Sequence, residues 1–148
     1  MKKLILMLAF AGFLMSSYAQ NLMVSEVPAV VTKAFSKSHS KIDSVEWSKV
    51  SDNYKADYAV KMKSMSATYT AKGKLVLTEK EVSLSELPIP VLTYVNENLQ
   101  GGPIKKSMKI TTAAGKSSYK LLVKGNDLAF DSKGKFIEQS KLQGNSGL

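Results

Sequence analysis

A four-residue motif recurs in this chain: Ser25-Glu26-Val27-Pro28 is restated sixty positions later as Ser85-Glu86-Leu87-Pro88. The echo continues downstream, where Lys55-Ala56-Asp57-Tyr58 is answered by Lys116-Ser117-Ser118-Tyr119 and Tyr69 by Phe130. Ala71-Lys72-Gly73-Lys74 likewise returns as Ser132-Lys133-Gly134-Lys135. The offset is 60 at the proline motif and 61 from Tyr58 onward, so one extra residue sits in the second copy between them. Self-similarity at a fixed period marks a structural unit used twice. The chain therefore reads as a tandem duplication, with its seam at residues 84–90.

The first nineteen residues read as a separate segment. Lys2 and Lys3 precede an apolar run over 4–15, and Ser17-Tyr18-Ala19 ends in a small residue before Gln20. That is the grammar of a cleavable secretory signal peptide. The run is shorter than the about 20 residues a helix needs to cross a bilayer. No other segment is long enough, so the mature chain is expected to carry no transmembrane segment. The implied destination is the periplasm or the cell exterior.

Cleavage after Ala19 leaves 129 of the 148 residues, and there is no cysteine for a disulfide framework or a thiol nucleophile. Each copy, at roughly 60 residues, would bury too little surface to be stable alone. The two copies are therefore expected to share a sheet or pack closely.

The period of the apolar residues sorts the chain into elements. Val27, Val30, Val31, Ala34 and Phe35 line one face of a helix, with Ser25 as its N-cap and an end near Ser38-His39-Ser40. From Ile42 the period becomes two: Val45 and Trp47 oppose Ser44, Glu46 and Ser48. Tyr54, Ala56, Tyr58, Val60 and Met62 then share a face, and Met65, Ala67 and Tyr69 follow before a turn at Lys72-Gly73. The second copy repeats the plan, with a helical stripe of Leu87, Val91, Tyr94, Val95 and Leu99 closed by Gly101-Gly102-Pro103. Strand centres follow at Ile104 to Ile110, Tyr119 to Val123, Leu128 to Phe130, and Phe136-Ile137.

The expected fold is α+β, with two tandem repeats of a helix plus a four-stranded antiparallel sheet, the helices on one face of a shared or adjoining sheet. The expected divisions are a signal peptide at 1–19, repeats at 20–84 and 85–142, and a flexible tail at 143–148. Short links after each helix favour antiparallel pairing, because parallel strands need long crossovers.

Chemistry is scarce. His39 is the only histidine, placed at a helix end, and no nucleophile with a supporting partner stands near it in sequence. One histidine without cysteine falls short of a zinc site, and Asp127 and Asp131 are separated by strand-like residues that do not form a calcium loop. No glycine-rich phosphate loop is present. The reading is of a protein that is no enzyme and needs no cofactor or metal.

Charge narrows the partners. The chain carries +9, falling to +7 without Lys2 and Lys3, and every cationic side chain is lysine. Base reading and bidentate phosphate grip are chiefly arginine tasks, and the lysines are scattered, so no nucleic-acid partner is expected. Trp47, Tyr54, Tyr58 and Tyr69 fall on the core side of their strands, not on a basic stacking platform. What remains is the polar side of the strands. Lys55, Asp57, Lys61, Thr68, Lys120, Leu122 and Lys124 make up the candidate binding face, with Leu122 an apolar residue among charges.

Val27-Pro28, Ala34-Phe35, Val45-Glu46-Trp47, Tyr54, Tyr69 and Asp131-Ser132-Lys133-Gly134-Lys135 resemble the PepSY-like, β-lactamase-inhibitor-like proteins of bacterial envelopes. The resemblance spans residues 25–140. It implies two helix-plus-four-strand units, export, no catalytic residues, and inhibition through an open sheet face. The function expected is an exported, non-enzymatic binding protein that engages an acidic envelope protein or enzyme, as inhibitor or escort, through that face. The alternative is a binder of a small ligand or an anionic envelope polymer through surface lysines.

Overall fold

The computed structural model describes residues 20–141. The expected signal peptide at 1–19 and the tail at 143–148 lie outside the described residues. In chain order the elements are β1 (Gln20–Leu22), α1 (Ala29–Ser38), β2 (Glu46–Val50), β3 (Asn53–Val60), β4 (Lys63–Thr70) and β5 (Leu75–Glu81). Then come α2 (Ile89–Leu99), β6 (Ile104–Thr112), β7 (Ser117–Val123), β8 (Asn126–Asp131) and β9 (Phe136–Lys141). A 3-10 turn precedes each helix, at Val24–Glu26 and Leu84–Glu86.

The two-repeat expectation is overturned. All nine strands belong to one antiparallel sheet, hydrogen-bonded to one another in unbroken chain order. β5 pairs with β6 from Leu77↔Thr112 to Glu81↔Met108, straight across the proposed division between units. Residues 20–22, ahead of the eight expected strands, form a ninth in which Leu22 pairs with Trp47. The physical reason is the cost of an open edge. Two separate four-stranded sheets would each leave a row of unpaired backbone groups where β5 and β6 now join.

Both helices lie on one side of this sheet. Val27, Val31 and Phe35 pack on Trp47, Ala56, Tyr58, Ala67 and Tyr69. Leu87, Val91 and Val95 pack on Tyr119, Leu121, Val123, Leu128 and Phe130. The cross-strand row Met65, Lys80, Lys109, Tyr119 and Phe130 runs between the two clusters on that same face.

Three local expectations change. Ser25 lies inside the first 3-10 turn, and the N-cap of α1 is Pro28. Val30, placed in the buried stripe, is 49% exposed. Met62, placed on the core face of β3, sits in the turn after it with φ 63° and is 99% exposed. Gly73 and Gly134 allow the β4–β5 and β8–β9 turns to press on the helix starts. A Cβ on Gly73 would stand 2.8 Å from the Val30 carbonyl oxygen, and one on Gly134 2.9 Å from the Pro88 Cβ.

Candidate binding face

Period-two alternation sends every second strand residue away from the helices. On that open side Glu46, Asp57, Ser66, Glu79, Ile110, Ser118 and Asp131 face one another across β2 to β8. No helix covers this side, yet Ser66, Thr68, Leu77, Ile110 and Ser118 on it are buried. Curvature explains it. A hollow of about 220 Å³ is lined by residues of six consecutive strands, from Lys55 and Asp57 on β3 to Asp127 on β8. Strands in a flat sheet stand about 4.8 Å apart, too far to surround one such hollow, so the sheet curls concavely on this side.

Ion pairs fill the floor of the hollow. The Lys55 ammonium lies 3.2 Å from Asp57 and 3.1 Å from Glu79. The Ser66 hydroxyl donates to Glu79 at 2.7 Å, and Lys120 pairs with Asp127 at 3.0 Å. Burial works to raise the Glu79 pKa, but the Lys55 charge, the Ser66 hydroxyl and the Lys120 charge hold it below the ordinary carboxylate value. Burial works to lower the Lys55 pKa, and the charges of Glu79 and Asp57 override it and push it up. Met108 and Leu122 add apolar surface to the same hollow. A second, adjoining hollow of about 640 Å³ shares Asp57, Ser64, Met65 and Lys106 and runs on to Lys41 and Asp43.

The seven residues expected to form the face do not all lie on it. Lys55, Asp57, Thr68, Lys120 and Leu122 are on the open side by register. Lys61 and Lys124 are in the β3–β4 and β7–β8 turns, both with φ 49°. Lys124 folds back toward α2, its ammonium donating to the Leu99 carbonyl at 2.8 Å. Two-residue hairpin loops require a left-handed first residue, and that takes both lysines out of the alternation.

Glu79, Asp127 and Lys106 were missed as members of the face, which also includes Ser66. Extending alternation along β5 would have put Leu77, Glu79 and Glu81 together. Glu81 accepts the Ser64 N–H at 2.9 Å.

The aromatic side chains are elsewhere. Trp47, Tyr58 and Tyr69 are buried beneath α1. His39 caps the end of α1, stacks on Phe35 with centroids 4.5 Å apart, and its Nε2 lies 2.9 Å from the Tyr58 hydroxyl. It is thus half-buried and packed at the helix end where the sequence placed it. Among the described residues no three histidine, aspartate or glutamate side chains converge as a metal site would require. Among them, too, no helix is long and apolar enough to cross a membrane.

No family model matches the chain, and no curated protein matches it. Solved structures do. A Bacteroides eggerthii structure described as "putative periplasmic proteins" superposes with a TM-score of 0.71 at 17% identity, covering 78% of this chain and 88% of that one. A DUF2874 family protein from Bacteroides uniformis gives 0.66 at 18%, covering 77% and 88%. A BLIP-like protein from Bacteroides fragilis gives 0.58 at 18%, covering 76% and 84%. The chain thus has the fold of these proteins, a BLIP-like one among them. The PepSY part of the expected resemblance has no counterpart in these descriptions.

Proposed function

We propose that this chain is an exported, non-enzymatic binding protein that engages another macromolecule through the open face of its sheet and inhibits or escorts an enzyme of the bacterial envelope. The observation that carries the reading is the hollowed, uncovered side of a nine-stranded sheet, with Met108 and Leu122 beside ordered ion pairs. A face spanning this many strands is wide enough for the about 800 Å² per partner that a standard interface buries. The descriptions of the Bacteroides eggerthii and Bacteroides fragilis structures support export and protein binding respectively.

The alternative, an anionic polymer held by lysines, has less behind it on this face. Lys55 and Lys120 already have carboxylates at 3.0–3.2 Å.

Photo-crosslinking tests the reading. A photoreactive side chain in place of Leu122 should crosslink a protein in envelope extract, and the same group in place of Lys33 on α1 should not. Crosslinks from position 33 alone would move the binding surface to the helices.

A further inference from the structure

The charges are sorted by face. Every aspartate and glutamate in a strand points away from the helices: Glu46, Asp57, Glu79, Glu81, Asp127, Asp131 and Glu138. On the same side stand three lysines, Lys55, Lys106 and Lys120. Seven carboxylates against three ammonium groups leave this face at −4, in a chain whose total is +9. The helix side of the strands has the opposite sign, with Lys49, Lys63, Lys80 and Lys109 and no carboxylate.

From this sorting we infer that the partner presents a basic surface, a lysine- or arginine-bearing protein segment, to the open face, with its cations at the carboxylates outside the hollow, since within the hollow Lys55, Lys106 and Lys120 balance Asp57, Glu79 and Asp127. The inference rests on the open face being the binding face, and it replaces the acidic partner that the lysine count suggests. Lys55 and Lys120 are already charge-matched by Asp57, Glu79 and Asp127, so neither is a free charge to draw in an acidic partner. Carboxylates at the two sides of the face have capacity to spare. Glu46 is exposed on β2, and on β9 the buried Oε1 of Glu138 has no hydrogen-bond partner among the described residues. A desolvated carboxylate oxygen without a donor is costly, and a cationic donor from a partner would satisfy it.

The total charge of +9 does not forbid this. At physiological ionic strength charges beyond about 8 Å are largely screened. A docked side chain therefore feels the carboxylates of the open face more than the lysines across the sheet. Met108 and Leu122 offer apolar contact between these acids, which suits an extended basic segment with an apolar residue among its cations.

The probes are two pools of random decapeptides, matched in apolar content, one with three extra lysines and one with three extra glutamates. Each is titrated into the isotope-labelled protein, covering residues 20–148, while amide shifts are followed. The basic pool should shift the amides of Met108, Leu122 and Ala129. Glu46→Gln with Glu138→Gln should weaken that binding roughly fivefold or more, as two lost ion pairs imply, while Lys80→Gln with Lys109→Gln should not. If the acidic pool shifts those amides instead, or neither pool does, or the glutamine pair changes nothing, this inference falls while the open-face reading stands. Shifts confined to α1 and α2 would overturn the open-face reading as well.

Discussion

The Lys55 ammonium on β3 lies 3.1 Å from the Glu79 carboxylate on β5, reaching over β4 to do so. Their side chains are 28% and 18% exposed, so the pair is partly shielded from water. Removing one member of a fully buried pair costs about 3–5 kcal/mol, and an exposed pair is worth less than about 1. Glu79→Ala should fall between, at about 1–3 kcal/mol, because Asp57 still faces Lys55 and solvent reaches both. Urea denaturation measures it; a change within ±0.3 kcal/mol would mean the pair is simply solvated.

Stability should be greatest between mildly acidic and mildly alkaline pH. Glu79 has a folded pKa below its ordinary 4.5, so its ionised form stabilises the fold above that value. The contribution is lost as pH falls through the lowered pKa. Glu86 acts in the same sense, its carboxylate held at about 2 by the Ser83 N–H and hydroxyl and by Lys63. At the other limb, Lys55 is raised above 10.5 against the desolvation that opposes it, and burial raises Tyr58 and Tyr69 above 10.0. Stability from these groups is complete below about pH 10 and declines as pH climbs through their raised values. Thermal melts from pH 2 to 11 should show both limbs, and Glu79→Gln should flatten the acid one.

Trp47 meets Phe35 edge to face, with centroids 5.6 Å apart, and is 6% exposed. Trp47→Ala should cost about 3–5 kcal/mol. That is a large share of the stability of a domain this size. Native fluorescence should be blue-shifted and poorly quenched by iodide. Red-shifted, freely quenched emission would contradict the packing under α1.

Lys61 and Met62 both have positive φ, at 49° and 63°, in a two-residue hairpin loop. The β7–β8 hairpin has Lys124 and Gly125 in the same roles, with φ of 49° and 74°. A left-handed backbone costs a side-chain-bearing residue about 1–2 kcal/mol, which glycine avoids. Met62→Gly should therefore stabilise the protein by about 0.5–1 kcal/mol, net of the entropy glycine adds to the unfolded chain. Met62 is 99% exposed, so no packing is lost. A destabilised variant in urea unfolding would show that the turn relaxes around methionine.

Local periodicity was legible wherever it was unbroken. The alternation from Tyr54 to Tyr58 puts Tyr58 beneath α1 and Asp57 on the open side, because neighbouring strand residues must point oppositely whatever the rest of the chain does. The same rule carried too far at Lys61 and Met62. Neither is glycine or asparagine, so nothing in the residue types announces a left-handed turn, and only the pairing of Val60 with Lys63 reveals it. At Lys124 the following Gly125 does mark a turn, and alternation was carried one residue into it.

What tertiary structure alone decided is everything that joins distant residues. Whether β5 ends a sheet or meets β6 depends on a ladder of backbone hydrogen bonds, and backbone groups are the same in every sequence. The pairing of Leu22 with Trp47 is equally unmarked. Lys55 and Glu79 are 24 positions apart, and their contact needs β4 between them and a sheet curved enough to bring side chains together. By itself the sequence determined which strand residues share a side and how many charges there are to place. The fold decided that the strand carboxylates gather on the open side, with four strand lysines across from them and three among them, because side-chain alternation becomes a charged surface only when register aligns the strands.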